Sequence, residues 1–337
     1  MDLILHVGLY KTATTTLQKT VFSPHPACFT SRSILTEEGY DLADILGHKD
    51  RDPISDNESR AFYAKKWAET LMASVKNANN PLPKSIVVSE EALSNWQANG
   101  QSDPLPISMS SVRRSILPRK RPNPLALFLA KNKEEFWPYG DVKILLTVRN
   151  QVDWLASLYA QLSDRIVFAS QSDFEARTSE LLDSGDPYIF WSCWIHDFSA
   201  AVGKDNVSVL LSEEMDKAEF WDSLLEFSGL SGVAIEDAMK SSSRPLNRRR
   251  DHGTGRWRLR SFNARRSLKI NTRFSDAALK RGSFAYQVPV RLVLYPFRGR
   301  FIHLTDQHRK RILDRLDASN QVLEAILNKP LDKYGYL

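Results

Sequence analysis

Cysteine is nearly absent from this 337-residue chain, which holds only Cys28 and Cys193. Two so widely separated thiols make no metal-ligand or disulfide framework, which argues against a secreted disulfide scaffold and for a reducing compartment. Long apolar runs are missing too. None approaches the roughly 18 to 20 residues of a membrane span. Residues 1–8 turn polar too soon for a signal peptide and already read as a core strand. A cytoplasmic protein without a membrane span is therefore expected. Neither an internal repeat nor a sustained heptad pattern is visible.

What is present suits a folded α/β protein. Hydrophobic residues make up 42% and charged residues 26%, so a sizeable core is available. The length fits about two domains or one large one, and we read one domain over 1–337, with irregular insertions near 23–56 and 97–135. The net charge of +6 favours an anionic ligand or partner.

Short apolar runs at Leu3–Val7, Ser85–Ser89, Val142–Val148 and Val207–Leu211 read as buried strands. Helical spacing is found over 14–22, 56–77, 151–162, 188–201, 220–230 and 305–327. In the last of these Ile312, Leu316, Val322, Leu323 and Ile326 are the expected apolar positions. Strands alternating with helices predict a P-loop-like three-layer α/β/α fold. Its central sheet should be mostly parallel, with about four to five strands.

The sharpest local pattern lies between the first strand and the first helix, in His6-Val7-Gly8-Leu9-Tyr10-Lys11-Thr12-Ala13-Thr14-Thr15-Thr16. A helix start presents unpaired N–H groups and the positive end of a dipole, which suits an anion. Lys11 adds a mobile cation and the threonines add hydroxyl donors. Lys11 follows Gly8 by three positions and no glycine precedes it, so the Walker signature is not met. The bland reading is a threonine-rich helix cap. This segment resembles the 5'-phosphosulfate loop of sulfotransferases that use 3'-phosphoadenylyl sulfate (PAPS). The resemblance implies that Lys11, Thr12, Thr14 and Thr15 bind the phosphosulfate, with Ala13 and Thr16 completing the loop. Ala13 stands where that family more often has glycine.

A second pattern follows the strand at Val142–Val148. Arg149 sits at its carboxyl edge, where ligands of open α/β sheets bind. Ser157 falls about two helical turns further on. A guanidinium fork and a hydroxyl could converge on a phosphate dianion, although arginine at a strand end is more often an ordinary surface charge. The pair resembles the 3'-phosphate site of the same family, with Gln151 where proline is frequent. Tyr334-Gly335-Tyr336 also resembles endings of bacterial members.

Membership would imply PAPS as co-substrate, adenosine 3',5'-bisphosphate as product and no metal requirement. Lys11 would stabilise charge on the bridging oxygen. A catalytic base is sought after the second buried strand, where Glu90 and Glu91 stand, and similarity to a Ser-x-Glu pattern favours Glu91. Neighbours on an extended segment face opposite ways, so one of the two faces the site. Both could equally be capping or solvated carboxylates. Among the histidines, His6 reads as structural, while His196 and His252 have no evident partner.

The stretch 244–273 is dense in arginine. It is either a solvated helical face or a wall that attracts PAPS and an acidic acceptor. The acceptor expected is a hydroxyl or amine, on a glycan or another cell-surface precursor. Two alternatives stand beside this reading. One is a P-loop kinase-like phosphotransferase using ATP. The other is a non-catalytic anion- or nucleic-acid-binding protein, which no recognised nucleic-acid motif supports.

Overall fold

The structure, a computed structural model, describes residues 1–8, 12, 14–30, 33–46, 56–78, 81–90, 123–166, 168–185, 187–231, 235–236, 239–240, 250–251, 255–261 and 299–337. Lys11, Ala13, Glu91 and His252 lie outside the described residues, as do most of the stretch 244–273 and most of the insertion expected at 97–135.

Five parallel strands form the centre: β1 (Asp2–Gly8), β2 (Cys28–Thr30), β3 (Ser85–Ser89), β4 (Val142–Val148) and β5 (Val207–Leu211), in the order β2-β3-β1-β4-β5. β1 is flanked by β3, with His6 opposite Ser89, and by β4, with Gly8 opposite Thr147. Strands buried on both faces need apolar residues at every position rather than alternate ones. Leu3-Ile4-Leu5, Ile86-Val87-Val88 and Ile144-Leu145-Leu146 meet that demand.

Alternation then divides the two faces. Leu3, Leu5, Ile86, Val88, Ile144 and Leu146 face one core. It is closed by α3 (Asn57–Ala78), α4 (Pro124–Phe136), α5 (Gln151–Leu162), α6 (Gln171–Ser184), α7 (Trp191–Val202) and a long helix α9 (Asp306–Leu327). Ile4, Val87 and Leu145 face the other. There they meet the short α1 (Thr14–Leu17), its π-helical continuation Gln18–Phe22, and α8 (Ala218–Ser228). This is the expected three-layer arrangement. Truncating one of these fully buried leucines or isoleucines to alanine costs about 2–5 kcal/mol.

Several helix ends follow from local chemistry. Asn123 caps α4, with Pro124 at its first position. Ser170 caps α6 and the left-handed Gly185 ends it. Thr305 caps α9.

Four expectations are corrected. The span 23–56 holds β2 and a short helix α2 (Leu42–Ile45), fixed by a capping box between Asp41 and Asp44. The span 97–135 ends in α4, which buries Leu125, Phe128 and Leu129. Proline and serine upstream masked that apolar spacing. On α9, Val322 and Ile326 are exposed rather than core-facing. Finally, the described part of the basic stretch is extended, not helical. β6 (Arg250–Asp251), β7 (Arg256–Arg258) and β8 (Phe301–Ile302) form a small antiparallel sheet. Trp257 and Ile302 turn into the main core while Arg256 and Arg258 face solvent. Arg260 is paired, giving Nη2 to Gln161 Oε1 at 2.6 Å and lying 3.5 Å from Asp164.

Candidate active site

β1 and β4 are neighbours, but the chain leaving β1 goes on to β2 and β3 on one side, while that leaving β4 goes on to β5 on the other. Divergence of this kind opens a crevice at the carboxyl ends of the two strands. The loop after β1 and the turn after β4 meet there, because Gly8 and Thr147 are register partners.

The start of α1 lies close against the end of β1. A Cβ placed on Gly8 would lie 1.9 Å from Thr14 Oγ1. Only glycine lets the helix start come down this far onto the strand. Thr12 and Thr14 are buried, and Thr15 and Thr16 half-buried. Thr12 Oγ1 lies 3.3 Å from Thr147 Oγ1, which ties the loop to β4. A polar network continues beneath it. His6 Nε2 is 3.2 Å from Thr147 Oγ1, and His6 Nδ1 is 2.7 Å from Ser89 Oγ. Gln18 Nε2 donates to the same Ser89 hydroxyl at 3.1 Å. Burial pushes the His6 pKa down to about 3. The ring is therefore neutral at ordinary pH. It donates to one of its two hydroxyl partners and accepts from the other. The structural reading of His6 holds, and its work is to join β1, β3 and β4 under the loop.

Glu90 follows directly on β3. Its side chain is buried and its backbone N–H donates to the His6 carbonyl at 3.3 Å. It thus stands at the carboxyl edge of the strand next to β1.

The turn after β4 holds Arg149, half-buried, and Asn150, buried. Trp191 Nε1 donates to the Arg149 carbonyl at 2.9 Å. Asn150 caps α5, its Oδ1 accepting from the N–H groups of Val152 and Asp153 at 2.9 and 3.2 Å. Ser157 lies buried further along that helix. Behind the turn stands Glu213, which follows β5. Its Oε1 accepts from the Asn150 N–H at 2.8 Å and its Oε2 from the Tyr336 hydroxyl at 3.4 Å. Burial holds the Glu213 carboxyl above its usual range, opposed by the Asn150 N–H and the charge of Arg149. Next to it, burial works against the Glu214 carboxyl, but hydrogen bonds from Lys329 at 2.9 Å and Tyr334 at 2.6 Å hold it below the usual range.

Thr12, Thr14, Thr15, Thr16, Glu90, Arg149 and Ser157 are therefore carried by three neighbouring strands and the segments that leave their carboxyl ends. Asn150 was not among the residues expected from the sequence, although asparagine ahead of an apolar helical run is a cap signal. Nothing in the sequence points to Glu213, which is brought to the turn by a strand pairing. His196 is exposed on α7. Among the described residues no group of three or more His, Cys, Asp or Glu side chains is placed to hold a metal ion, and no helix is long and apolar enough to cross a membrane.

No protein-family model and no curated protein matches the chain. Among solved structures, the fold is similar to a sulfotransferase from Alicyclobacillus acidocaldarius, with a TM-score of 0.47 and 12% sequence identity, over 98% of this chain and 97% of that one. A likeness that loose carries no argument for function.

Proposed function

We propose that this chain is a sulfotransferase that moves a sulfuryl group from PAPS to a hydroxyl or amine. The observation that carries the reading is the shared carboxyl edge of β1 and β4, where the strand order reverses direction. A glycine-dependent close approach shapes the loop on one side, a hydroxyl contact from Thr12 joins that loop to β4, and Arg149 follows two residues beyond the contact. A nucleotide phosphorylated at both ends needs two anion sites across one sheet edge, and this edge offers groups for both.

In this reading Thr12, Thr14 and Thr15, with Ala13 and Thr16, surround the 5'-phosphosulfate. Arg149 and Ser157 take the 3'-phosphate, which separates PAPS from ATP. The acceptor oxygen or nitrogen attacks sulfur. The bond between sulfur and the bridging oxygen breaks, and adenosine 3',5'-bisphosphate leaves. Lys11 stabilises the negative charge that gathers on that oxygen. The acceptor's proton goes to a carboxylate, Glu91 or its neighbour Glu90. The burial of Glu90 suits a base that works away from bulk water. A glycan or other cell-surface precursor fits the basic surface as acceptor.

Thermal melts test the donor. Adenosine 3',5'-bisphosphate should raise the melting temperature well above the shifts given by AMP or ATP, because only it fills both anion sites. Equal shifts from all three would sink the reading. A shift specific to magnesium-ATP would favour a kinase-like phosphotransferase. Salt-sensitive binding of RNA or DNA without any nucleotide shift would favour a nucleic-acid-binding protein.

A further inference from the structure

We infer that the segment 334–336 belongs to the proposed nucleotide site. It acts as a latch that sets the position of Arg149 through Asn150, so that Asn150 and Gly335 are positioning residues for 3'-phosphate recognition. The inference rests on the reading of Arg149 given above.

Asn150 is the hub, and every polar valence of its side chain is used. A side-chain amide has two donors and two acceptor sites. Oδ1 accepts from the Val152 and Asp153 N–H groups, capping α5. Nδ2 donates to the Tyr334 carbonyl at 3.0 Å and also to the Gly335 carbonyl. Its backbone N–H is taken by Glu213. Arg149 therefore hangs between Trp191, which holds its carbonyl, and an asparagine fixed from three directions. The next residue is gripped as well. Gln151 Nε2 donates to Asn320 Oδ1 at 2.8 Å, and Asn320 Nδ2 donates to the Tyr336 carbonyl at 2.8 Å.

The segment is built to make this contact. Gly335 has φ of 74°, in the region that favours glycine. A Cβ there would stand 3.3 Å from Asn150 Nδ2. Tyr336 is fully buried and anchors the segment from below, with its hydroxyl on Glu213. A helix cap alone would require none of this, since the Oδ1 bonds suffice for it. The bonds from Nδ2 bear on where the turn sits, and so on where the guanidinium next to it is held.

The test separates cap from latch. Asn150→Ser keeps a good capping oxygen but cannot reach the two carbonyls. Gly335→Ala loads the same contact from the other side. Isothermal titration with adenosine 3',5'-bisphosphate and with 5'-AMP gives the preference owed to the 3'-phosphate. Each variant should cut that preference about tenfold, because a small misplacement of a positioned group weakens what it binds. Affinity for 5'-AMP should stay near that of the parent. The double variant should lose little more than either single one, as expected of residues in one contact. Unchanged preference, equal weakening of both ligands, or additive losses would overturn the latch. Should Gly335→Ala fail to fold, Asn150→Ser decides alone. A parent chain that binds both ligands equally overturns the nucleotide reading itself, an outcome visible before any variant is made.

Discussion

The loop after β1 and the turn after β4 border one crevice, yet they are held in opposite ways. Thr12, in the loop, contacts Thr147 on β4, and Thr147 in turn belongs to a strand network with His6 and Ser89. The turn is held from behind, by groups brought from far along the chain. Glu213 is 63 positions from Asn150, and Tyr334 is 184 positions from it. The first arrangement draws mainly on the central strands. The second draws on β5 and on the segment that follows α9.

The largest expected effect breaks the loop side chemically. Lys11→Ala should lower turnover by at least about a hundredfold, as loss of a charge that stabilises a leaving oxygen does. Its melting curve should hardly change. Turnover of radiolabelled PAPS within a few-fold of the parent would remove Lys11 from the mechanism. Next, Arg149→Ala should weaken adenosine 3',5'-bisphosphate about ten- to a hundredfold, the worth of a charged hydrogen bond at roughly 1.5–3 kcal/mol. It should leave 5'-AMP binding intact, and titration with both ligands shows whether it does.

A further effect, on stability rather than on binding, concerns the strand network beneath the loop. The His6 pKa is pushed from 6.5 to about 3 in the folded chain. Below pH 6.5 the unfolded chain therefore binds a proton that the folded one refuses. Stability should fall as pH drops toward 3, with a slope of about 1.4 kcal/mol per pH unit from this group. Denaturant midpoints at pH 5 and pH 7 should differ less in His6→Asn than in the parent. Equal differences would mean that His6 does not titrate as its burial demands.

The same contrast explains what could be read without coordinates. Leu3–Val7, Val142–Val148 and their neighbours were legible because strands buried on both faces show as unbroken apolar runs. The threonine-rich segment after β1 stood out because its lysine and hydroxyls lie within one short stretch after such a run. β2 was not: it has three half-buried residues on an edge and carries no pattern. α6 was missed because its buried positions Phe174, Thr178, Leu181 and Leu182 are sparse among polar residues. Arg149 could be picked out by its place at a strand end. Glu213, Asn320 and the tyrosine segment could not be linked to it, since no local spacing encodes a contact made by strand order and helix docking. Burial raises Cys28 to about 12 and also raises Cys193, so neither supplies a thiolate nucleophile at neutral pH.

The contact between Gly8 and Thr14 has a consequence for recognising other loops of this design. Their side of the turn leaves no room for even a methyl group at position 8. A search pattern that demands glycine two places after the lysine would discard this chain, which has Ala13 there. One that demands glycine at the strand's last residue and a threonine six places on would retain it.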